Sequence, residues 1–229
     1  MLNVAGLTRL STTDFPGRLA AVVFVQGCPW RCRYCHNPEL QSRRAAPVMS
    51  WLSVLDFLDH RRGLLDGVVF SGGEPTVDRH LGVAIEQVRQ RGFKIGLHTA
   101  GSYPNRLRDL LPQVDWVGFD VKAQFADYAD TTGVRGSGKA AQESLDHVLA
   151  SGVEYEIRTT RHPELISSRA LKSMAASLRR CGVEKFALQE FRPDGCVDRR
   201  LDACPPPSEG ETVSHLRTLF PVFSLRAAN

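Results

Sequence analysis

Short apolar runs alternate along the chain with stretches of helical spacing. Residues 20–26 (AAVVFVQ) form a continuous apolar run, as expected for a strand buried on both faces. Further strands are predicted at residues 67–70, 94–98, 116–120, 153–158 and 185–189. Between them, apolar side chains recur every three or four residues, which predicts helices around 52–58, 81–88, 107–111, 145–149 and 171–178.

This alternation predicts an α/β fold with parallel strands and crossover helices. Six strands fit a partial (β/α)6 barrel, and a doubly wound sheet is the alternative. In a barrel, functional residues lie at the C-terminal ends of the strands. The polar segments that follow the first five strands are 27–35, 71–75, 99–101, 120–122 and 158–160. We therefore expect a site at that edge of the sheet.

A chain of 229 residues fits one domain with a sizeable core. We divide residues 1–229 into an N-terminal extension (1–19), a barrel core (20–190) and a C-terminal loop and helix (191–229). Glycine and proline predict irregular loops at 122–139 and 191–210, and a last helix is predicted near 211–219. Both loops are candidates for contact with a partner.

Composition narrows the function classes. The net charge of +4 comes without a long Lys/Arg run, which argues against nucleic-acid binding and weakly favours an anionic substrate or acidic partner. No stretch of about 18 apolar residues predicts a membrane span. The N-terminus is too short and mixed for a signal peptide, so a cytoplasmic protein is expected. In that reducing compartment, six cysteines indicate metal binding or reactive thiols.

Three of these cysteines, Cys28, Cys32 and Cys35, form a C-x3-C-x2-C motif after the first predicted strand. Thiolates are soft ligands that suit iron–sulfur clusters or zinc. A cubane usually takes four cysteines, so three would leave one iron open to a small molecule. His36 also allows a Cys3His zinc site, but its position next to Cys35 is awkward for one tetrahedral ion.

The motif, with Tyr34 before its last cysteine, resembles the signature of the radical S-adenosylmethionine superfamily. That resemblance implies a radical SAM barrel, a [4Fe–4S] cluster on the three cysteines and S-adenosyl-L-methionine on the open iron. It further implies reductive cleavage to methionine and a 5′-deoxyadenosyl radical. Tyr34 and His36 would then lie against the adenosine.

Other strand ends extend the resemblance. The segment 71–75 (SGGEP) matches the family segment that holds the cofactor's amino group, with Glu74 as an acceptor for the ammonium. A turn at Thr99 resembles another family segment, although His98 and Ala100 replace its usual Asp and Asn. The cofactor-binding residues implied or suggested at these strand ends are Gly72, Gly73, Glu74, Thr99, Asp120, Lys122, Arg158 and Gln189. Of these, Arg158 is the candidate for binding the cofactor carboxylate.

Across the chain, the sequence is similar to the longer activating proteins of anaerobic ribonucleoside-triphosphate reductase. The segments that carry this similarity are 14–17, 35–38, 120–122 and 158–160. The resemblance implies that the radical takes a hydrogen atom from a backbone glycine of a partner, a glycyl radical enzyme. It also implies a flavodoxin or ferredoxin-type electron donor. No catalytic residue beyond the cluster ligands is predicted.

Two alternatives remain open. A radical enzyme acting on a small molecule, of the 7-deazaguanine synthase type, would need extra polar groups inside the barrel. A non-catalytic zinc-binding module would bind zinc rather than iron. Cys181, Cys196 and Cys204 are too loosely spaced to favour a second cluster, and Cys181 is predicted as a core residue at a helix end.

Overall fold

The computed structural model describes residues 1–201 and 210–226. Its framework is one eight-stranded sheet in sequential order from β1 to β8. The strands are β1 (Val4–Ser11), β2 (Ala20–Val25), β3 (Gly67–Gly72), β4 (Lys94–Thr99), β5 (Trp116–Asp120), β6 (Glu154–Arg161), β7 (Lys185–Glu190) and β8 (Val222–Arg226). The helices are α1 (Trp51–Asp59), α2 (Leu81–Arg89), α3 (Pro104–Leu110), α4 (Tyr128–Thr132), α5 (Ser137–Ser151), α6 (Ser168–Arg180) and α7 (Gly210–Leu219).

The predicted α/β class and partial barrel are confirmed. Strands β2 to β8 pair in parallel, and β1 joins β2 antiparallel. Because the strand order follows the chain order without a reversal, the doubly wound alternative is wrong. Strands β1 and β8 form the two edges, so the sheet curves without closing.

Strand alternation separates two layers of packing. On β5, Val117 and Phe119 join the large core between sheet and helices. Trp116 points to the concave inner face, where it packs in a small cluster with Phe15 and residues of β2 and β3. Phe15 reaches the inner face because Gly67 has no side chain there. The inner face thus has an apolar floor, above which polar side chains occur.

Two strands were not predicted. Strand β1 lies within the supposed N-terminal extension, and β8 lies in the C-terminal segment. Both are edge strands whose side chains are mostly half-buried or exposed, so neither presents a continuous apolar run.

The segment 122–139 is not simply a loop, as predicted, because it contains α4 and the start of α5. The β-branched Thr131 and Thr132 are weak helix formers, and Gly133 ends the helix in a left-handed conformation. Tyr128 is nevertheless fully buried and anchors α4 in the core. The last predicted helix is confirmed as α7. Residues 202–209, part of the second predicted loop, lie outside the described residues.

Candidate active site

The three motif cysteines lie in one loop between β2 and a short 3₁₀ turn, and all are half-buried free thiols. Backbone hydrogen bonds hold both sides of this cysteine loop (residues 27–35). The Gly27 N–H donates to Leu40 O at 2.8 Å, and the Arg31 N–H donates to Thr132 O at 2.8 Å. The loop is therefore pinned by α4, the helix that the sequence did not predict.

The donor set suits an iron–sulfur cluster. All three cysteines line one cavity of about 210 Å³ at the C-terminal ends of the strands. Burial raises the pKa of the Cys28 thiol to about 12, and burial also raises the pKa of Cys32, an effect that the nearby Lys122 ammonium opposes. Burial therefore disfavours the thiolate forms of Cys28 and Cys32 in the absence of a positive partner, which a bound cluster would supply. Within residues 1–201 and 210–226, no three His, Cys, Asp or Glu side chains surround a single-ion position.

Tyr34 and His36 lie at one side of this cavity. Tyr34 is buried, and the Lys122 Nζ atom lies 5.3 Å from its ring centroid. His36 stacks on Phe191 with 5.4 Å between ring centroids, and its Nε2–H donates to Arg192 O at 2.9 Å. Burial lowers the pKa of His36, so its ring is neutral at neutral pH. Contact of Tyr34 and His36 with adenosine stays a prediction.

Gly72 and Gly73 are needed for contact between backbones. Gly72 has φ +126°, and a Cβ atom there would overlap Val25. A Cβ atom at Gly73 would overlap the carbonyl oxygens of Gly27 and Leu40. The two glycines therefore let the end of β3 lie directly against the start of the cysteine loop, in addition to any approach to a ligand.

Gly73→Ala is expected to destabilise the protein by about 1–3 kcal/mol, because the added methyl group must push the cysteine loop aside. Urea unfolding of the cluster-loaded protein measures this change. Gly82→Ala is the matched control: Gly82 lies in α2, and its Cβ position is 3.4 Å from Leu110, an ordinary contact. Equal stability of Gly73→Ala and the wild type would contradict the role in backbone packing.

Glu74 is only 2% exposed and is surrounded by donors from the protein itself. Its Oε1 accepts from Thr76 N at 3.1 Å, Thr76 Oγ1 at 2.6 Å and Thr99 Oγ1 at 2.7 Å. Its Oε2 accepts from Ala100 N at 2.9 Å. Glu74 therefore joins the ends of β3 and β4, and Oε2, with one donor in the described contacts, retains capacity for a ligand ammonium.

His98 occupies the position where the family turn usually has Asp. Its Nε2–H donates to Asp14 O at 2.9 Å, and its ring packs edge-on against Trp116. Burial, helped by the nearby Arg158 guanidinium, lowers the pKa of His98 well below its usual value. His98 is therefore a neutral link between the cavity and the N-terminal segment, which contains Asp14.

Asp120 and Arg158 form an ion pair across β5 and β6, with Nε 2.9 Å from Oδ1. Arg158 also donates from Nη2 to Gly118 O at 3.2 Å, and it can lie flat there because Gly118 has no Cβ. Burial opposes ionisation of Asp120, but the Arg158 and Lys122 charges hold its pKa below the usual value. Arg158 therefore has Nη1 left for a ligand carboxylate.

The cavity brings together most of the predicted residues but not Gln189. Its lining includes all three cysteines and Tyr34, His36, Gly72, Gly73, Glu74, Thr99, Asp120, Lys122 and Arg158. Gln189 instead lines a neighbouring cavity of about 550 Å³, with His36 and Thr160. Lining residues that the sequence analysis did not single out as sites are Trp30, Asn37, Gln41, Ser71 and Thr160.

A segment distant in sequence covers the cysteine loop. Asp198 pairs with Arg33 at 2.9 Å, and the Cys196 thiol donates to Arg33 O at 3.4 Å. Cys196 is thus buried against the loop, whereas Cys181 is exposed directly after α6 and is not the predicted core residue. Cys204 lies outside the described residues. No local pattern signals these contacts, which span more than 160 positions.

Comparison with known families shows the family to which the chain belongs. The sequence model of the Radical SAM superfamily matches residues 22–165, which include every site residue named above except Gln189 and the covering segment. The chain belongs to the radical SAM superfamily. Enzymes of this superfamily use a [4Fe–4S] cluster and S-adenosylmethionine, and the chain is accordingly a radical SAM enzyme.

Within the superfamily, the chain is homologous to activating enzymes of glycyl-radical enzymes. It is 30% identical over 217 residues to a provisionally assigned glycyl-radical enzyme activating enzyme of Methanocaldococcus jannaschii, covering 91% of this chain and 88% of the relative. It is 28% identical over 208 residues to the pyruvate formate-lyase-activating enzyme of Clostridium pasteurianum, covering 85% and 84%.

A solved structure supports the fold independently. A radical SAM methyltransferase from Sphaerobacter thermophilus aligns with a TM-score of 0.67 at 15% identity, covering 96% of this chain and 69% of the other. None of the helices in the described residues has the length and apolar character required to cross a bilayer.

Proposed function

We propose that this radical SAM enzyme generates a glycyl radical on a partner enzyme, and that the partner is an anaerobic ribonucleoside-triphosphate reductase. One observation supports the generation of a glycyl radical: the match to a glycyl-radical enzyme activating enzyme extends over nearly the whole length of both chains. The choice of partner is supported by the similarity to reductase activating proteins in segments 14–17, 35–38, 120–122 and 158–160.

The residues have distinct tasks. Cys28, Cys32 and Cys35 would hold the cluster. When bound, the cluster and S-adenosylmethionine supply a 5′-deoxyadenosyl radical that takes a hydrogen atom from glycine. Glu74 would receive the methionine ammonium on Oε2, and Arg158 would receive the methionine carboxylate on Nη1.

Access for a polypeptide is supported by the open sheet. In residues 1–201 and 210–226, β1 and β8 do not pair with one another, so the inner face can be reached from the side between them. Hydrogen abstraction by the cofactor fragment needs no protein acid or base, which fits a site whose ionisable groups are engaged with one another. His98 is neutral, and Asp120 is paired with Arg158.

Reduction of the cluster needs one electron from outside this site. A flavodoxin or ferredoxin-type protein is proposed as the donor. Arg31 is the proposed contact point for this donor, because its exposed side chain belongs to the cysteine loop and donates to Cys28 O at 2.8 Å. Acidic redox proteins would be attracted to such a charge.

Electron paramagnetic resonance tests the proposal. The reduced, cluster-loaded enzyme with S-adenosylmethionine and the candidate reductase is expected to give a doublet, from coupling of the glycyl radical to its one Cα hydrogen. Reductase labelled with Cα-deuterated glycine should collapse the doublet. The matched control is a reductase in which the acceptor glycine is alanine, which should give no signal.

A different outcome would redirect the proposal. Cofactor cleavage without any reductase radical would contradict the reductase as partner. The same experiment with pyruvate formate-lyase then separates a wrong partner from a wrong class of substrate, since a radical there keeps the glycyl-radical activity.

A second candidate is a radical enzyme acting on a small molecule. Polar groups of the kind that this function would use do lie along β6: Glu156 pairs with Arg226 at 2.6 Å, and the exposed Glu154 pairs with Lys185 at the N-terminal ends of β6 and β7. These pairs satisfy one another, which leaves the glycyl-radical proposal better supported. The remaining alternative, a non-catalytic zinc module, is set aside by membership in the radical SAM enzymes.

A further inference from the structure

We propose that the chain has a binding site for a small phosphorylated anion on the outer side of the cysteine loop. The site is a cavity of about 440 Å³ whose lining includes Arg43, Arg79, His80, Tyr103 and Arg106, here called the basic cavity. Among residues 1–201 and 210–226, it shares no lining residue with the cavity of the three cysteines. The proposal does not depend on the proposed reductase partner.

Two guanidinium groups share one tyrosine in this basic cavity. The Arg106 Cζ atom lies 4.6 Å from the ring centroid of Tyr103, and the Arg43 Cζ atom lies 5.8 Å from it. Arg43 also donates to the Tyr103 hydroxyl. Cation–π contacts hold both guanidinium groups in place but neutralise neither charge.

Among the described residues, the three guanidinium groups of the basic cavity lack carboxylate partners, whereas His80 Nδ1 lies 3.1 Å from Asp78 Oδ1. In the described ranges, none of Arg43, Arg79 and Arg106 forms an ion pair. Asp78, the carboxylate that lines the cavity, already accepts from Asn3 N at 2.8 Å and from His80 N at 2.8 Å. Three guanidinium charges around one cavity repel one another, and a bound anion would relieve that repulsion.

The donors favour phosphate chemistry. Within the described part of the chain, the hydrogen bonds of Arg106 to the protein come from Nη1, which donates to Thr76 O at 3.0 Å and Val77 O at 2.8 Å. Its Nε and Nη2, together with the Arg43 fork, leave several N–H groups for an anion, and planar guanidinium forks match phosphate oxygens. The volume exceeds what one phosphate group needs, so a diphosphate, triphosphate or phosphorylated metabolite fits better.

The basic cavity touches the segments that hold the active site. A Cβ atom at Gly27, next to Cys28, would lie 3.3 Å from Cγ of Arg43 and 3.2 Å from Cγ1 of Val77. Arg106 binds the carbonyl of Thr76, whose hydroxyl donates to Glu74. An anion that bridges Arg43 and Arg106 would therefore tie together both sides of the cysteine loop and stabilise it.

Calorimetric titration of the cluster-loaded protein with inorganic pyrophosphate and tripolyphosphate tests the proposal. Saturable binding is expected, weakened about tenfold by Arg43→Gln because a charged bidentate contact is lost. Arg44→Gln is the matched control, because it removes the same charge at the next position in the chain. The Arg44 side chain is exposed and does not line the cavity. Its affinity should equal that of the wild type.

Tyr103→Ala provides a second variant, expected to weaken binding because it frees both guanidinium groups; its melting temperature checks that it is folded. No saturable binding to the wild type would overturn the proposal. Equal weakening by Arg43→Gln and Arg44→Gln would also overturn it, because general positive charge would then explain the binding.

Discussion

Replacing Cys32 with alanine is expected to abolish cluster binding and S-adenosylmethionine cleavage together. Cys28 and Cys35 alone would leave two of the four irons of a cubane without a protein ligand, instead of one. Iron analysis of anaerobically reconstituted protein should fall from about four atoms per chain to the background, with loss of the brown colour. Cys28→Ala and Cys35→Ala should behave alike.

The control for this prediction is Cys181→Ser. Cys181 is exposed directly after α6 and remote from the cysteine loop, so its variant should keep iron and activity unchanged. Cys196→Ala is more informative, because the Cys196 thiol contacts Arg33 O in the loop. We expect it to keep four irons. A Cys32→Ala protein with full iron and cofactor cleavage would refute the assignment of the ligands.

Replacing Glu74 with glutamine is expected to weaken both the fold and the cofactor complex. A glutamine oxygen can keep the bonds from Thr76 and Thr99, but its NH2 group then faces the Ala100 N–H. One buried donor loses its acceptor, which costs about 1–3 kcal/mol of stability. The lost negative charge should also reduce S-adenosylmethionine affinity about tenfold, since a charge-assisted hydrogen bond to the ammonium is lost.

Thr76→Val separates these two effects. It removes a hydroxyl donor to Glu74 and so disturbs the same buried network, but it keeps the carboxylate, and Thr76 does not line the active-site cavity. Its stability should fall while cofactor affinity, measured by equilibrium binding to the cluster-loaded protein, stays at the wild-type value. Unchanged affinity in Glu74→Gln would leave Glu74 with only its structural task of joining β3 to β4.

Strands β2 and β3 were predictable because they begin as continuous apolar runs, and the later strands were predictable from their regular alternation with helical spacing. All six predicted strands occur, and the cysteine loop follows the first of them. The edge strands β1 and β8 were missed because one side of each is exposed. Helix α4 was missed because its stability comes from the burial of Tyr128 rather than from local helix propensity.

The candidate site likewise contains features that a local sequence pattern predicts and features that it does not. The cysteine spacing and the SGGEP segment were recognisable because their residues are neighbours in the chain. The network around Glu74 was not, because Thr99 and Ala100 reach it from another strand. Gln189 lies at a strand end, as expected, but it lines the neighbouring cavity, a placement that no local pattern indicates.

By itself, the sequence determined the cysteine motif, the strand–helix alternation and the edge of the sheet at which the site lies. These features depend on chemistry and periodicity within a few residues. Only the tertiary structure decided that Asp120 pairs with Arg158, that the segment around Asp198 covers the cysteine loop, and that Arg43 and Arg106 converge on Tyr103. Such contacts depend on which strands and loops the folded sheet brings together, and no local pattern encodes them.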